Sequence, residues 1–322
     1  MKAAVYYENG GPEVLRYEDV PDPVPGAGEV LLRVEAIGVQ GGDVLARQGG
    51  PLPATPHIVG YQAAGTIVAV GADVTTVRPG QKAFAFMLAG SHAELVVATE
   101  SNVYVVPDDM DTRVAAGIFV EFGTADDALF EFGRLRAGQT VLVQAAASGV
   151  GLAAVQLAKA AGATVIGTAG TDEKLARLSG YGLDHGINYR TGDVVGTVEE
   201  LTGGRGADLI IDPVGGKTLE GSINAVAYRG RIIYLGQVGR ETYQPQLFPL
   251  LLKSASLSGL YYGAEVQRDP QRTRPRVQQL IDRIAAGELT VVIDREFPLA
   301  DAAEAHRHIE SRAAFGRVLL IP

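Results

Sequence analysis

The feature that most constrains the fold is a strand that runs straight into a helix through a turn of small residues. Val141-Leu142-Val143 is followed by Gln144-Ala145-Ala146-Ala147-Ser148-Gly149-Val150-Gly151, and an Ala-rich helical pattern over Gly151–Ala161 begins at once. The texture then repeats. Thr140–Gln144, Thr164–Thr168, Asp208–Asp212 and Arg231–Leu235 are short β-branched or Leu-rich runs, while Gly151–Ala161 and Asp172–Gly180 space their apolar residues as helices do. Strands alternating with helices cover both faces of a parallel sheet, so an α/β chain with a doubly wound sheet is expected from about residue 112 onward.

The preceding hundred residues read differently. Val30–Val34, Ala64–Val70 and Ala93–Val97 are short β-type runs, punctuated by Pro25-Gly26 and Pro79-Gly80 where strands must turn. They predict a compact, mostly antiparallel β unit. The tail changes texture again, with a helix near Arg274–Ala286, a strand near Val291–Phe297, a helix near Leu299–Glu310 and a last strand Arg317–Ile321. A length of 322 residues accommodates two domains.

Composition removes several classes of function. The chain has 28 Lys+Arg against 37 Asp+Glu, a net charge of −9 with no basic run, which disfavours nucleic acid, RNA included. It has no Cys, which removes disulfides, catalytic thiols and thiolate metal sites. No apolar run reaches the roughly 18 residues of a membrane helix. The apolar start of the chain breaks at Glu8, too soon for the core of a signal peptide, so a soluble, cytoplasmic protein is expected.

The turn after Val143 has the position of a dinucleotide fingerprint, where a tight turn and a helix N-terminus meet a pyrophosphate. It departs from the strict three-glycine pattern, with Ala146 and Ser148 at the first two glycine positions and Gly151 keeping the third. Ser148, Gly149, Val150 and Gly151 are the expected pyrophosphate contacts; an ordinary strand-to-helix turn is the alternative. The next strand ends in Ala169-Gly170-Thr171, with no acid to take a ribose 2′-hydroxyl. Asp172 and Glu173 come one step later, as first-turn helix acids do. Gly170, Thr171, Lys174 and Tyr189, the last followed by Arg190, are therefore expected around a 2′-phosphate, which selects NADPH over NADH. Solvated surface charge is the other reading of Lys174 and Arg190.

These residues and their flanks resemble the zinc-free medium-chain dehydrogenase/reductases of the quinone oxidoreductase (zeta-crystallin-like) branch. The resemblance runs along nearly the whole chain: Gly10–Leu15, Pro25–Val30, Gly149–Lys159, Leu201–Asp208, Asp212–Gly216 and Glu304–Arg307 all look like that branch. It implies a Rossmann dinucleotide-binding domain over 119–261, inserted into a GroES-like, mostly β substrate domain over 1–118 and 262–322, with the active cleft between them. It also implies that Thr124 lies against the nicotinamide. Gly236 and Gln237 then border the cofactor, and Leu260 and Tyr261 reach its carboxamide end. Family relatives pair their edge strands, so a homodimer through Ala255–Leu260 is expected.

Zinc enzymes of the superfamily carry a ligating Cys and a Gly-His-Glu segment. Here those stretches read Gly38-Val39-Gln40-Gly41-Gly42-Asp43 and Gly60-Tyr61-Gln62. His57, His92, His185, His306 and His308 are not spaced as a ligand set, so no metal is expected. Without a Lewis acid, hydride transfer favours an acceptor that delocalises the arriving charge, a quinone or an activated alkene such as an enone or enal. Gln40 and Tyr61 are the candidate catalytic donors; a structural Gln and a pocket-wall Tyr are the alternatives. Asp43 reads as a cap for a short helix at Val44–Arg47. Glu121 and Asp126 need partners if they are buried. An enoyl-thioester reductase, or a nucleotide-binding protein with little catalysis, would satisfy the same pattern.

Overall fold

The computed structural model describes residues 1–322. In its N-terminal part the strands are β1 (Lys2–Tyr6), β2 (Arg16–Asp19), β3 (Glu29–Val39), β4 (His57–Ile58), β5 (Gln62–Val70), β6 (Lys82–Phe86), β7 (Leu95–Thr99) and β8 (Val103–Val105). Two helices belong here, α1 (Gly41–Gly49) and α2 (Thr112–Ala115). A helical stretch over 119–132 follows, in which π-helical turns Phe119–Gly123 and Asp127–Phe132 flank α3 (Thr124–Asp126).

The alternating part is β9 (Thr140–Val143), α4 (Gly149–Ala160), β10 (Thr164–Ala169), α5 (Asp172–Ser179), β11 (His185–Asn188), α6 (Val194–Leu201) and β12 (Ala207–Asp212). It continues through α7 (Gly216–Ala225), β13 (Val226–Tyr234), α8 (Phe248–Lys253), β14 (Ser256–Gly259) and α9 (Tyr262–Arg268). Helix α10 (Pro270–Ala285), β15 (Ile293–Pro298), α11 (Ala302–Glu310) and β16 (Arg317–Ile321) close the chain.

Contacts divide the chain into two compact units, Met1–Val120 with Arg274–Pro322, and Glu121–Thr273. The resemblance implies a second boundary at 261/262, and the contact-based division falls at 273/274. The reason is an ion pair of the second unit: the Arg272 guanidinium donates to both carboxylate oxygens of Asp127, at 2.7 and 3.0 Å. That fork binds the chain beyond α9 to the π-helical stretch.

The second unit is a six-stranded parallel sheet in the order β11-β10-β9-β12-β13-β14. The order reverses between β9 and β12, and in such sheets ligands bind at the carboxyl ends of the strands at that point. Leu142, Ile166, Ile210 and Ile232 fill the core from successive strands, with Ile223 of α7 and Val198 of α6 against them. Each such side chain contributes about 1.5–3 kcal/mol by leaving water.

In the first unit, seven strands pair as β15-β16-β3-β5-β6-β8, with β7 on β3. Only β15–β16 is parallel. A separate antiparallel sheet, β2-β1-β4, goes beyond the strands expected from sequence. Its flanking strands β2 and β4 are short and partly exposed and carry little alternation, while β1 is a short buried run, so periodicity gives no clear sign of them.

Candidate functional site

The turn between β9 and α4 is built around Ala145, whose φ of 51° puts a non-glycine residue in the left-handed region. Its N–H donates to Thr168 Oγ1 at 3.2 Å, and the next amide, of Ala146, donates to the Thr168 carbonyl at 2.9 Å. Ser148 caps α4, its Oγ accepting the Gly151 N–H at 3.1 Å. The first-turn amides of Gly149 and Val150 have no acceptor within the helix and present the positive end of its dipole. Gly151 is required sterically: a Cβ there would stand 2.7 Å from Ala146 Cα.

The alanine at the first fingerprint position has a structural explanation. A Cβ at Gly167 of β10 would lie 2.8 Å from the Ala146 methyl. The side chain gained at 146 therefore occupies the space left by the one missing at 167.

At the end of β10 the fold brings Tyr189 and Arg190 to Gly170. Tyr189 and Arg190 fold over Gly170, where a Cβ would sit 2.8 Å from Tyr189 Oη and 3.3 Å from Arg190 Nε. Thr171 caps α5, its Oγ1 accepting the Lys174 N–H at 3.3 Å. Asp172 is engaged elsewhere, accepting from Asn188 Nδ2 at 2.8 Å, and Asn188 Oδ1 accepts the Arg190 N–H at 3.1 Å. The nearest acid is thus tied to the end of β11.

The loop after β13 docks on the turn after β12, Val238 N–H donating to Pro213 O at 3.1 Å and Gly239 N–H to Val214 O at 3.0 Å. Gly236 and Gln237 lie in that docked loop, and a Cβ at Gly215 would meet Gln237 Cγ at 3.1 Å. Leu260 is buried and its N–H donates to Tyr234 O at 3.0 Å, while Tyr261 is exposed at the start of α9. Thr124 is buried in α3. Glu121 and Asp126 are buried as well, each with an interaction partner.

In the first unit Gln40 and Tyr61 come together. Helix α1 starts at Gly41 rather than Val44, with Gln40 as its N-cap and Asp43 at the third position of a reciprocal capping box. Asp43 is therefore not the cap expected from sequence; its Oδ2 accepts the Gln40 N–H at 2.7 Å. The Tyr61 hydroxyl lies over the same turn, where a Cβ at Gly42 would be 2.6 Å from Tyr61 Oη. Asp43 is fully buried with Oδ1 unpartnered, and desolvation pushes its carboxyl up to about 7 against the pull of the Gln40 amide and Arg317. Burial likewise lowers Arg317 to about 10, opposed by Tyr61 and Asp43. Arg317 donates to the Val39 carbonyl.

Arg317, Gly167 and the buried polar set behind the β9 turn are not marked by the sequence as site residues. A lone Arg in a terminal strand carries no local signal. The side chain of Gln62 is a strap, donating to Ala116 O and accepting the Val120 N–H at 2.8 Å.

The fold and the turn chemistry together define a medium-chain dehydrogenase/reductase. The profile described as "Alcohol dehydrogenase GroES-like domain" matches residues 26–108, and that described as "Zinc-binding dehydrogenase" matches 149–286. Within that superfamily the chain belongs to the quinone oxidoreductase family. It is 32% identical to quinone oxidoreductase of Rattus norvegicus, over 100% of this chain and 98% of the relative. It is also 32% identical to 2-haloacrylate reductase of Burkholderia sp, covering 100% and 99%. The structure of Escherichia coli quinone oxidoreductase complexed with NADPH superposes with a TM-score of 0.94 at 29% identity, covering 100% of both chains. No three His, Cys, Asp or Glu side chains of the chain are grouped to hold a metal ion.

Proposed function

We propose that this chain is an NADPH-dependent reductase that acts without zinc on a quinone or an activated alkene. The observation that carries the reading is the corner over Gly170. There Tyr189 and Arg190 converge beside Thr171 and Lys174, and the nearest acid, Asp172, is committed to Asn188. A corner with cations and hydroxyls, its Asp172 hydrogen-bonded to Asn188, suits a 2′-phosphate.

The α4 N-terminus, Ser148 and the amides of Gly149 and Val150 would hold the pyrophosphate. Thr124, Gly236, Gln237, Leu260 and Tyr261 would border the nicotinamide half. When bound, NADPH supplies a hydride. The chain's own part is to receive the acceptor: Tyr61 and Arg317, beside Gln40, offer hydrogen-bond donors to an oxygen on which negative charge develops. Such donors suffice for an acceptor that spreads the charge through conjugation. The name of the Burkholderia relative favours activated alkenes as much as quinones.

We also place the working form as a homodimer. The strand β14 ends the parallel sheet, and beside it in sequence Leu247, Phe248, Leu251 and Leu252 are exposed. Neither feature suits an isolated subunit.

The test is oxidation of NADPH, with NADH as control, across 1,4-benzoquinone, 9,10-phenanthrenequinone, an enone, an enal, 2-chloroacrylate and crotonyl-CoA. Turnover with NADPH on one conjugated class, unchanged by a chelator, is expected. Preference for crotonyl-CoA would instead favour an enoyl-thioester reductase. NADPH binding without turnover on any acceptor would mean a nucleotide-binding protein.

A further inference from the structure

Behind the β9 turn lies a chain of buried side chains that apolar residues could have filled at lower cost. Gln144, Thr168, Ser222 and Asp212 come from the ends of β9 and β10, from α7 and from the end of β12, and none is more than 3% exposed. The Ala145 N–H donates to Thr168 Oγ1 at 3.2 Å, and the Thr168 hydroxyl donates to Gln144 Oε1 at 2.8 Å. Gln144 Nε2 then donates to Ser222 Oγ at 3.1 Å, and the Ser222 hydroxyl to Asp212 Oδ2 at 2.8 Å. The other carboxylate oxygen accepts the N–H groups of Val214 and Gly215, at 2.9 and 3.0 Å.

The two ends fix the direction. A backbone N–H can only donate; burial pushes the Asp212 carboxyl up, opposed by the hydrogen bonds from Gly215, Ser222 and Val214, and with Asp212 ionised every hydroxyl proton points towards it. Both ends are also unusual backbone. One is Ala145, left-handed without being glycine; the other is the Gly215-Gly216 turn, with φ of 73° and 57°. The first presents the α4 N-terminus, and the second carries the docked loop of Gly236 and Gln237 through the Pro213 and Val214 carbonyls. They flank the β9/β12 reversal, where the backbone link nearest the two turns is the Gln144 N–H donating to the Ile211 carbonyl at 3.0 Å.

We propose that Gln144, Thr168, Ser222 and Asp212 are positioning residues that lock the pyrophosphate turn and the Asp212–Gly216 turn into one preformed unit, so that nucleotide affinity depends on an unbroken chain between them. The inference rests on the nucleotide reading of this crevice. None of the four needs to touch the cofactor. Their part is to remove the cost of ordering two strained turns when the ligand arrives. A network of this kind acts as a unit, so breaking one link forfeits most of what breaking two does.

The experiment measures NADPH dissociation constants by calorimetry, melting temperatures, and kcat at saturating NADPH for Thr168→Val, Ser222→Ala, the double variant and Thr168→Ser. Ile232→Val, a core substitution distant in kind, serves as the stability control. Loss of one buried hydrogen bond corresponds to about a five- to tenfold weaker binding of NADPH. That weakening is expected for T168V and S222A, with kcat within about twofold. The double variant should be no more than about twofold worse than the weaker single, and T168S should retain near-native affinity. If T168V and S222A lower the melting temperature but bind NADPH as I232V does, the chain is merely structural and the proposal fails. Additive losses in the double variant would overturn the single-unit claim. Absence of NADPH binding by the unsubstituted protein would instead remove the nucleotide reading, and this inference with it.

Discussion

His92 Nε2 and His306 Nε2 face each other at 3.1 Å, and both rings are completely buried. The Arg47 guanidinium can only donate, so His306 Nδ1 accepts from it, His306 Nε2–H donates to His92 Nε2, and His306 is neutral, as the depressed proton affinities of both rings also require. Ser91 Oγ lies 3.3 Å from His92 Nδ1, and Arg47, which is paired with Glu310, lies 3.4 Å from His306 Nδ1. Burial brings His92 down to about 3; burial, His92 and Arg47 together hold His306 well below the usual range. The histidines thus read from sequence as packing or surface residues include a buried hydrogen-bonded pair.

The pair should make stability fall in acid. A group whose proton affinity is lower in the folded than in the unfolded state loses stability as pH drops below the unfolded value of about 6.5. At pH 5 the His92 ring should cost about 2 kcal/mol relative to pH 7.5, with a further loss in the same direction from His306. Urea midpoints of the wild type and His92→Gln should therefore differ at pH 7.5, and the gap should narrow steadily towards pH 5. A constant gap across that range would show that the rings do not titrate as their burial implies.

Gly167 and Ala146 form a second reciprocal pair. Gly167→Ala should destabilise the protein by about 1–3 kcal/mol through overpacking, because its methyl would stand 2.6 Å from Leu183 Cδ1 and 2.8 Å from the Ala146 methyl. Ala146→Gly alone should be mild, and the double variant should regain the share of the loss that the Ala146 methyl causes, the Leu183 contact remaining. Thermal unfolding of the four proteins closes the cycle, and strict additivity would mean the two methyls do not compete.

This pair also shows what could and could not be read from the sequence. The strand–helix alternation follows from residues close in the chain, so β9, α4, β10 and α5 fall within a residue or two of expectation. Gly167 compensates for Ala146 across two neighbouring strands, a register that only the folded sheet supplies. Arg47 meets His306 and Glu310 from the far end of the chain, and Gln144 reads locally as one more turn residue. Gln40 was identified as a site residue, yet its capping role depended on where α1 begins. The π-helical turns at 119–132 had no sequence signal, because Gln62 takes the Val120 amide from a distant strand.

Cofactor choice should reside in Lys174 and Arg190. Replacing either by Ala should raise the KM for NADPH about tenfold, in line with loss of one charge-assisted contact to a phosphate, and leave the KM for NADH nearly unchanged. Parallel steady-state kinetics with both nucleotides checks this. Equal effects on NADPH and NADH would place these cations away from the 2′-phosphate and return them to the solvated surface.

The edge strand supplies the last expectation. Strand β14 pairs on one side only, with β13, and its other side offers unsatisfied amides and carbonyls for a second copy. Just before it, α8 packs Leu250 against the core yet exposes Phe248, Leu251 and Leu252 at 65%, 71% and 68%. A charge at Leu251 costs the monomer almost nothing, since that side chain packs against little, yet it would have to be desolvated in a dimer. Leu251→Asp should therefore shift sedimentation from dimer to monomer at micromolar concentration while leaving the isolated subunit's far-ultraviolet circular dichroism intact. A wild type that sediments as a monomer would leave the apolar face of α8 to some other partner, and a dimer insensitive to L251D would put the interface elsewhere on the subunit.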